Sequence, residues 1–568
     1  MRNTLVVGCG VLLLGVGACS STSQAPAAVT GVAAVAAPPE GTLAAGELDQ
    51  LIAESWRAAG VTPSPPADDL EFLRRVTLDL VGRAPALGEV KVFVSDPAAD
   101  KRARLVDRLL GSAAFGEHWA DLYAGLLWHQ DGKNKIERRG GDPRQWFVTA
   151  FNENVGYDKI STAVLAGSGD VREHGALAFL AARFRAGGPE AIAGSAARVF
   201  LGLQIQCAQC HDHQYDTRWK QEDFWGLVAY FAGTKVKAEE AAAKEPEMAM
   251  TTAMTTAMAA DGNAGGGKTF VVRDGRGVAR MHRPGATEDV VVQPRFLGYR
   301  PAEPGTESLR RTFARALVQT DLFAKAMVGR TWAQLFGHGL MEPWDDLGAE
   351  NDPRHPKLLV KLAEDFRAGG WNVKRLVRQI VLSTAYARSS APAPGAPDSP
   401  EAIEVAVRSF ARAGIRPLTP EQLFRTLSVA TGAEVMARHR GKSEERAEKM
   451  LFQALREYRF AFDDDEMAEA NKFDGSMPQQ LLLMNGELTN GGARVGPEGV
   501  LGGILRFRAD PAARLDEMML AAYTRRPTAE ERRQLLAPLG DAHGKEQRRA
   551  YEDLYFALIT STEAVTNH

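Results

Sequence analysis

Only two cysteines lie beyond residue 19, and they stand three positions apart at Cys207 and Cys210. No disulfide network can hold this chain together, because that pair would close only a tiny loop. The fold must therefore rest on an apolar core. Of the 568 residues, 45% are hydrophobic and 8% aromatic, which supplies one. At about 150 residues per domain, the length allows roughly two to four domains. The 68 basic residues are matched by 71 acidic ones, for a net charge of −3. That balance lacks the basic excess of a chain that wraps nucleic acid, so no nucleic-acid partner is expected.

The other cysteines, Cys9 and Cys19, belong to an address-like start. Arg2 gives a positive beginning. Leu5 to Val16 is an apolar run, too short to span a bilayer, which takes about 20 residues. Val16-Gly17-Ala18-Cys19 closes it with small residues. This is the shape of a secretory signal, and its last four residues resemble a bacterial lipobox. The expectation is a lipoprotein signal peptide over residues 1–18, lipidation at Cys19, and a flexible tether over 19–45, rich in Ser, Ala, Pro and Gly. An ordinary signal peptide cut nearby is the alternative. Ser20 after the cysteine leans towards the outer membrane. Several acyl chains, at about 0.8 kcal/mol per buried CH₂, would hold the protein to a membrane surface. The expected location is thus the exported, lipid-anchored cell envelope of a bacterium.

The remaining pattern is mostly helical. Leu70, Leu73, Val76 and Leu80 recur at helical spacing after Asp68 and before Gly82. Residues 100–110 and 115–128 behave likewise, and Phe224, Leu227, Val228 and Phe231 mark one helix face. Thr419-Pro420 with Gln422, and Thr528 with Glu531, read as capped helix starts. The fold class is mainly α: two helical domains over 46–235 and 304–568, with a disordered low-complexity linker over 236–267 and a small β-rich insertion over 268–303. Within the insertion, residues 269–273 and 277–281 flank Asp274-Gly275-Arg276, a hairpin signal, and 290–292 form another strand. Met250, Met254 and Met258 sit four apart in the linker, which is low-complexity drift rather than a soft-metal site.

One motif carries chemistry. Cys207-Ala208-Gln209-Cys210-His211 is C-x-x-C-H, the attachment pattern of c-type haem. Two thiols spaced this way add across the two vinyl groups of one porphyrin, and the adjacent histidine reaches the iron. With four cysteines and eleven histidines in the chain, roughly 0.0005 such occurrences are expected by chance. Three readings stand. The first is covalent haem c held by Cys207 and Cys210, with His211 on the metal and His213 bonding the haem edge. The second is zinc or another non-haem metal held by Cys207, Cys210, His211 and His213. The third is a Cys207–Cys210 disulfide with surface histidines. For haem, a methionine as second axial ligand would raise the potential and a histidine would usually lower it. His118, His129, His174, His338 and His355 are candidates by residue type.

Leu201 to His213, followed by Gln221-Glu222-Asp223-Phe224-Trp225-Gly226-Leu227, resembles the planctomycete-type cytochrome-c-associated family, domain of unknown function fifteen forty-nine. Residues 72–80 and 100–110 look like its opening helices. The second half resembles the partner domain, number fifteen fifty-three, at residues 330–337, Asp345-Asp346-Leu347-Gly348, 355–359, 479–486 and the ending from Ala557 to His568. The resemblance implies a cytochrome-like redox protein with no settled reaction. Electron exchange would use this single motif and a redox partner protein.

Weaker constellations remain. Asp345, Asp346, Glu350, Asp352 and His355 crowd one loop, where they would suit a hard cation, acid–base work or plain turn chemistry. An uncharacterised enzyme using Asp346 and His355 is therefore one alternative function. A metal-holding or disulfide-stapled scaffold that binds a partner in the envelope is another. Asp463 to Glu466 reads as a solvated face. Trp119, Trp128 and Trp146 are either a haem-facing set or an aromatic core. No G-x-S-x-G, P-loop or H-E-x-x-H pattern occurs.

Overall fold

Asp68 begins the helix Asp69–Val81 by accepting from the Glu71 amide at 2.8 Å, and Gly82 ends it in the left-handed region. The periodicity foresees one apolar stripe, but Phe72 through Val81 are all buried. The surplus burial is polar. Arg74 donates to the carbonyls of Ala522, Ala564 and Thr566. Asp79 accepts from Tyr386 Oη at 2.6 Å, Arg416 Nη2 at 2.8 Å and Asn567 Nδ2 at 3.0 Å. Such groups are tolerated inside only when bonded. They make this helix the joint between the early and late parts of the chain.

In this computed structural model the described residues are 43–44, 46–128, 142–240, 268–297, 307–348, 351, 353–397, 399–441, 443–462, 477–540 and 543–568. The expected signal peptide, Cys19, nearly all of the tether, the methionines at 250, 254 and 258, His129, Glu350, Asp352 and the 463–466 acidic run lie outside them. Helices make up 62% of the described residues, joined by a few short strands. Both foreseen capping boxes form. Thr419 and Gln422 bond reciprocally at 3.1 and 3.2 Å, and Thr528 and Glu531 at 2.7 and 3.2 Å.

Two apolar cores fill the interior. The first gathers Leu48 through Ala411 with Leu520. The second gathers Leu418 through Val565 with Leu78. The helices Leu309–Val318, Asp321–Phe336, Pro356–Ala368 and Val373–Val381 all contribute to the first core. The interior therefore divides at residues 411–418, whereas the sequence places the start of the second helical domain at 304. No described helix is long and apolar enough to cross a membrane.

The strands correct one expectation. No hairpin forms about Asp274-Gly275-Arg276. Strand β1 (Gly169–Asp170), β2 (Thr234–Glu240) and β3 (Lys268–Asp274) make an antiparallel sheet in the order β1-β3-β2, with Val236 opposite Val272. Strand β4 (Ala279–Met281) pairs instead with β5 (Val290–Val292). Phe270 and Val272 are buried, so β3 needs a neighbour already seated on the core, and β2 follows directly from the packed helix Gln221–Phe231. The glycines serve close approach rather than a tight turn. Gly275 donates to Gly233 O at 2.7 Å, and a Cβ on Gly277 would strike Ala232 O at 1.9 Å. Order in β2 also reaches into the stretch read as linker. Its residues Lys235, Lys237, Glu239 and Glu240 hide its strand character. Strands β6 (Arg416–Pro417) and β7 (Thr566–Asn567) pair at the joint with Asp79.

Candidate functional site

The motif follows the long helical segment Ala178–Ala196 and the wider turn Ala197–Leu201, which Gly202 ends with a φ of 60°. Leu203, Ile205 and Ala208 are buried and root the next stretch. Gln206–Gln209 forms a single 3₁₀ turn. Ala208 is buried beneath that turn, while Cys207 and Cys210 are free thiols and exposed.

The histidines separate by their hydrogen bonds. His211 is exposed, and its Nδ1 lies 2.7 Å from the Asp212 carbonyl. A carbonyl only accepts, so Nδ1 carries the proton and a neutral ring leaves the Nε2 lone pair free. This is the arrangement in which a ligating histidine is held by its other ring nitrogen. His213 is the reverse. Its Nδ1 accepts from the amides of Tyr215 (3.3 Å) and Asp216 (2.8 Å), so Nε2 donates to Gln204 O at 3.0 Å. Both of its nitrogens serve the loop, whose ends are also joined by the His213 amide on Trp219 O.

Gln221, at the start of the helix Gln221–Phe231, holds the motif from behind. Its buried Nε2 donates to Gln209 O at 3.2 Å, Cys210 O at 3.2 Å and His282 O at 2.8 Å. Trp225 Nε1 adds a bond to Gln209 O at 2.9 Å. The Gln221 amide bonds Asp212 Oδ1 at 3.0 Å, and Lys220 approaches the other oxygen. That amide, then Lys220, holds the Asp212 carboxyl below its ordinary value.

The far half of the chain closes the same loop. Asp345 pairs with Arg198 at 2.5 Å and accepts from Gln204 Nε2 at 2.9 Å. The Leu347 amide bonds Gly202 O at 2.5 Å, and a Cβ on Gly202 would press Leu347 at 3.1 Å. Gly348 lies against the Asp216–Arg218 pair: a Cβ there would be 2.9 Å from Asp346 Oδ1 and 3.6 Å from Asp216 Oδ2. Asp346 also accepts from Asn351 Nδ2 at 2.9 Å.

Other predicted residues fall elsewhere. His355 bonds Ser55 Oγ through Nδ1 at 2.8 Å and packs on Phe410, with its pKa pushed down to about 4 by burial and then by Arg354. No hydrogen bond or ion pair joins it to Asp346 among the described residues. His118 is buried beside Asp121 and Arg425, and burial lowers it to about 3. His174 lies by Gly169 and His338 by Glu342. Trp119 and Trp128 are core aromatics against Phe115, Phe147 and Phe151. Trp146 packs on Phe147. A cavity of about 310 Å³ opens near Trp146, Arg172 and Glu173. Sequence reasoning missed His282, which carries no motif signal, and met Gln221 only as part of the family resemblance, without its role behind the motif.

The donor set can be tested against each cofactor. No trio of His, Cys, Asp or Glu side chains is gathered for a metal ion among the described residues. Two unbonded, outward thiols on one turn, next to a histidine with its Nε2 free, fit a porphyrin fastened at the surface.

Residues 47–236 match the model for PSCyt2, a protein of unknown function (DUF1549). Residues 309–539 match that for PSD1, a protein of unknown function (DUF1553). No curated protein and no solved structure matches the chain. The motif lies in the first matched region and the loop that closes it in the second.

Proposed function

The chain belongs to the family that pairs the PSCyt2 and PSD1 domains, and from that premise we propose that it is a redox protein of the bacterial cell envelope carrying one covalent haem c. One observation carries the reading: Cys207 and Cys210 are free and exposed on a single turn, beside a histidine whose tautomer leaves Nε2 open. Cys207 and Cys210 hold the porphyrin. Each thiol would add its S–H across a vinyl double bond, forming one S–C bond with the hydrogen on the vinyl carbon and no leaving group. His211 would hold the iron through Nε2, with its ring oriented by the Asp212 carbonyl. His213 positions the loop by tying Gln204 to Tyr215 and Asp216. Once bound, such a group supplies one-electron transfer. Cys19 anchors the protein by lipid, and a redox partner protein exchanges the electron.

The test is maturation in a host with cytochrome c ligation machinery. The denatured protein should keep a Soret band and weigh one haem more than polypeptide plus lipid. Cys207→Ser with Cys210→Ser should abolish both signals. A wild-type mass equal to polypeptide plus lipid overturns the proposal.

A further inference from the structure

Arg330 carries a buried charge that no carboxylate answers among the described residues. It stands on the helix Asp321–Phe336. Its Nη2 donates at 2.5 Å to Val199 O, in the turn that leads into the motif. The Trp344 ring covers the guanidinium at 5.2 Å. Its Nε and Nη1 are buried and have no hydrogen-bond partner. Arg310 and Arg375 show the ordinary solution for a guanidinium at such depth, since each meets a carboxylate, Asp274 and Asp365.

Hydroxyl groups in the same state lie against Arg330. Tyr157 faces Arg330, Tyr123 and Ser161. Tyr157 and Ser161 stand four apart on the helix Tyr157–Ala166, hence on one face. They are only 1% and 0% exposed, yet neither Tyr157 Oη nor Ser161 Oγ has a hydrogen-bond partner. Tyr123 gives its own proton to Met327 Sδ at 3.0 Å. Burial holds the phenols of Tyr123 and Tyr157 above their ordinary value, so both keep their protons. Donors therefore outnumber acceptors around one positive charge in the interior. Unmet buried donors and an unpaired buried charge are both costly, and a negative ion relieves both at once.

We propose that this cluster is a binding site for one small monovalent anion, a halide such as chloride, held by the Arg330 guanidinium and the Tyr157 hydroxyl with Ser161 Oγ beside them. One guanidinium balances one negative charge, whereas a divalent phosphate or sulfate would bury a second charge without a counterpart. Tyr157 and Ser161 belong to the first matched region and Arg330 to the second, so the ion would fasten the two together behind the motif. The site does not depend on the haem.

The experiment unfolds the full chain in urea at fixed sodium concentration and ionic strength, with chloride or bromide replacing gluconate. Each halide should raise the midpoint, and the rise should follow its concentration as one bound ion requires. Tyr157→Phe keeps the ring and removes one hydroxyl; it should weaken halide binding roughly tenfold. Arg330→Met should abolish the difference between halide and gluconate. Should that variant not fold, Tyr157→Phe combined with Ser161→Ala should abolish it instead. Crystals soaked in bromide should show anomalous scattering beside Arg330 and Tyr157. An ordered water there without bromide overturns the site. So does bromide binding at crystal concentration only, with no halide effect on the midpoint, or a halide effect equal in wild type and variants.

Discussion

Replacing Gln221 with leucine removes the amide that draws together the carbonyls of Gln209, Cys210 and His282. An amide nitrogen has two protons, so three acceptors share two hydrogens. At about 1 kcal/mol net for each bond, the loss is about 2 kcal/mol. Leucine fills similar volume, so the cost falls on the joint rather than on the core. About 2 kcal/mol corresponds to roughly a 30-fold rise in local opening. Hydrogen exchange on the native protein reads this directly. The amides of Cys210, His213 and Asp216 all bond within the loop, and their exchange should accelerate together with that of the β4–β5 turn. Gln221→Glu should loosen the joint further near neutral pH, because a carboxylate would face carbonyl oxygens. Acid should partly reverse that effect by returning one proton. If Gln221→Leu left both segments unchanged, or loosened the motif without loosening the β4–β5 turn, Gln221 would not be the joint and the placement of His282 would lose its support.

Other outcomes follow from the buried charges. His118 is held neutral in the fold at about 3, far below its ordinary 6.5, by burial and then by Arg425. Protonation therefore favours unfolding. Stability should fall as pH drops below about 6.5 and go on falling to about 3, by about 2 kcal/mol at pH 5. Urea midpoints at pH 7 and 5 test this, and His118→Gln should flatten the difference; an unaltered difference refutes it. Asp121 pairs with Arg144 and Arg425 and lies 3.6 Å from Arg459. Asp121→Asn should cost about 3 kcal/mol by leaving three guanidiniums facing one another; a loss under about 1 kcal/mol in urea unfolding would contradict that. Arg74→Met should cost a similar amount, about 3 kcal/mol, because the Ala522, Ala564 and Thr566 carbonyls lose a buried donor. Faster exchange across residues 563–567 would report it. Cys19→Ser should release the protein from the membrane fraction on cell breakage, and continued sedimentation with membranes would count against the lipid anchor.

The helices were legible because apolar spacing and caps act locally. Thr419 with Gln422 and Thr528 with Glu531 bond as their spacing requires. The motif was legible because its spacing is rare. The pairing of β3 was not, since the partner that seats Phe270 and Val272 is a charge-rich strand that reads as linker. For Asp345 the sequence left cation binding, acid–base work and turn chemistry open, and tertiary placement sets it on Arg198 and Gln204. His282 was invisible for the same reason: only the folded path through Gln221 brings it beside Cys210.

The clasp of Asp345 on Gln204 and of Leu347 on Gly202 bears on biogenesis. A secreted polypeptide emerges amino end first, so on the proposed route both sulfurs reach the periplasm well before the residues that shut their loop. During that interval the segment would still be a pliable substrate for a ligating enzyme. On that route vectorial delivery would time the modification ahead of closure, with the late-arriving half of the chain as the bolt.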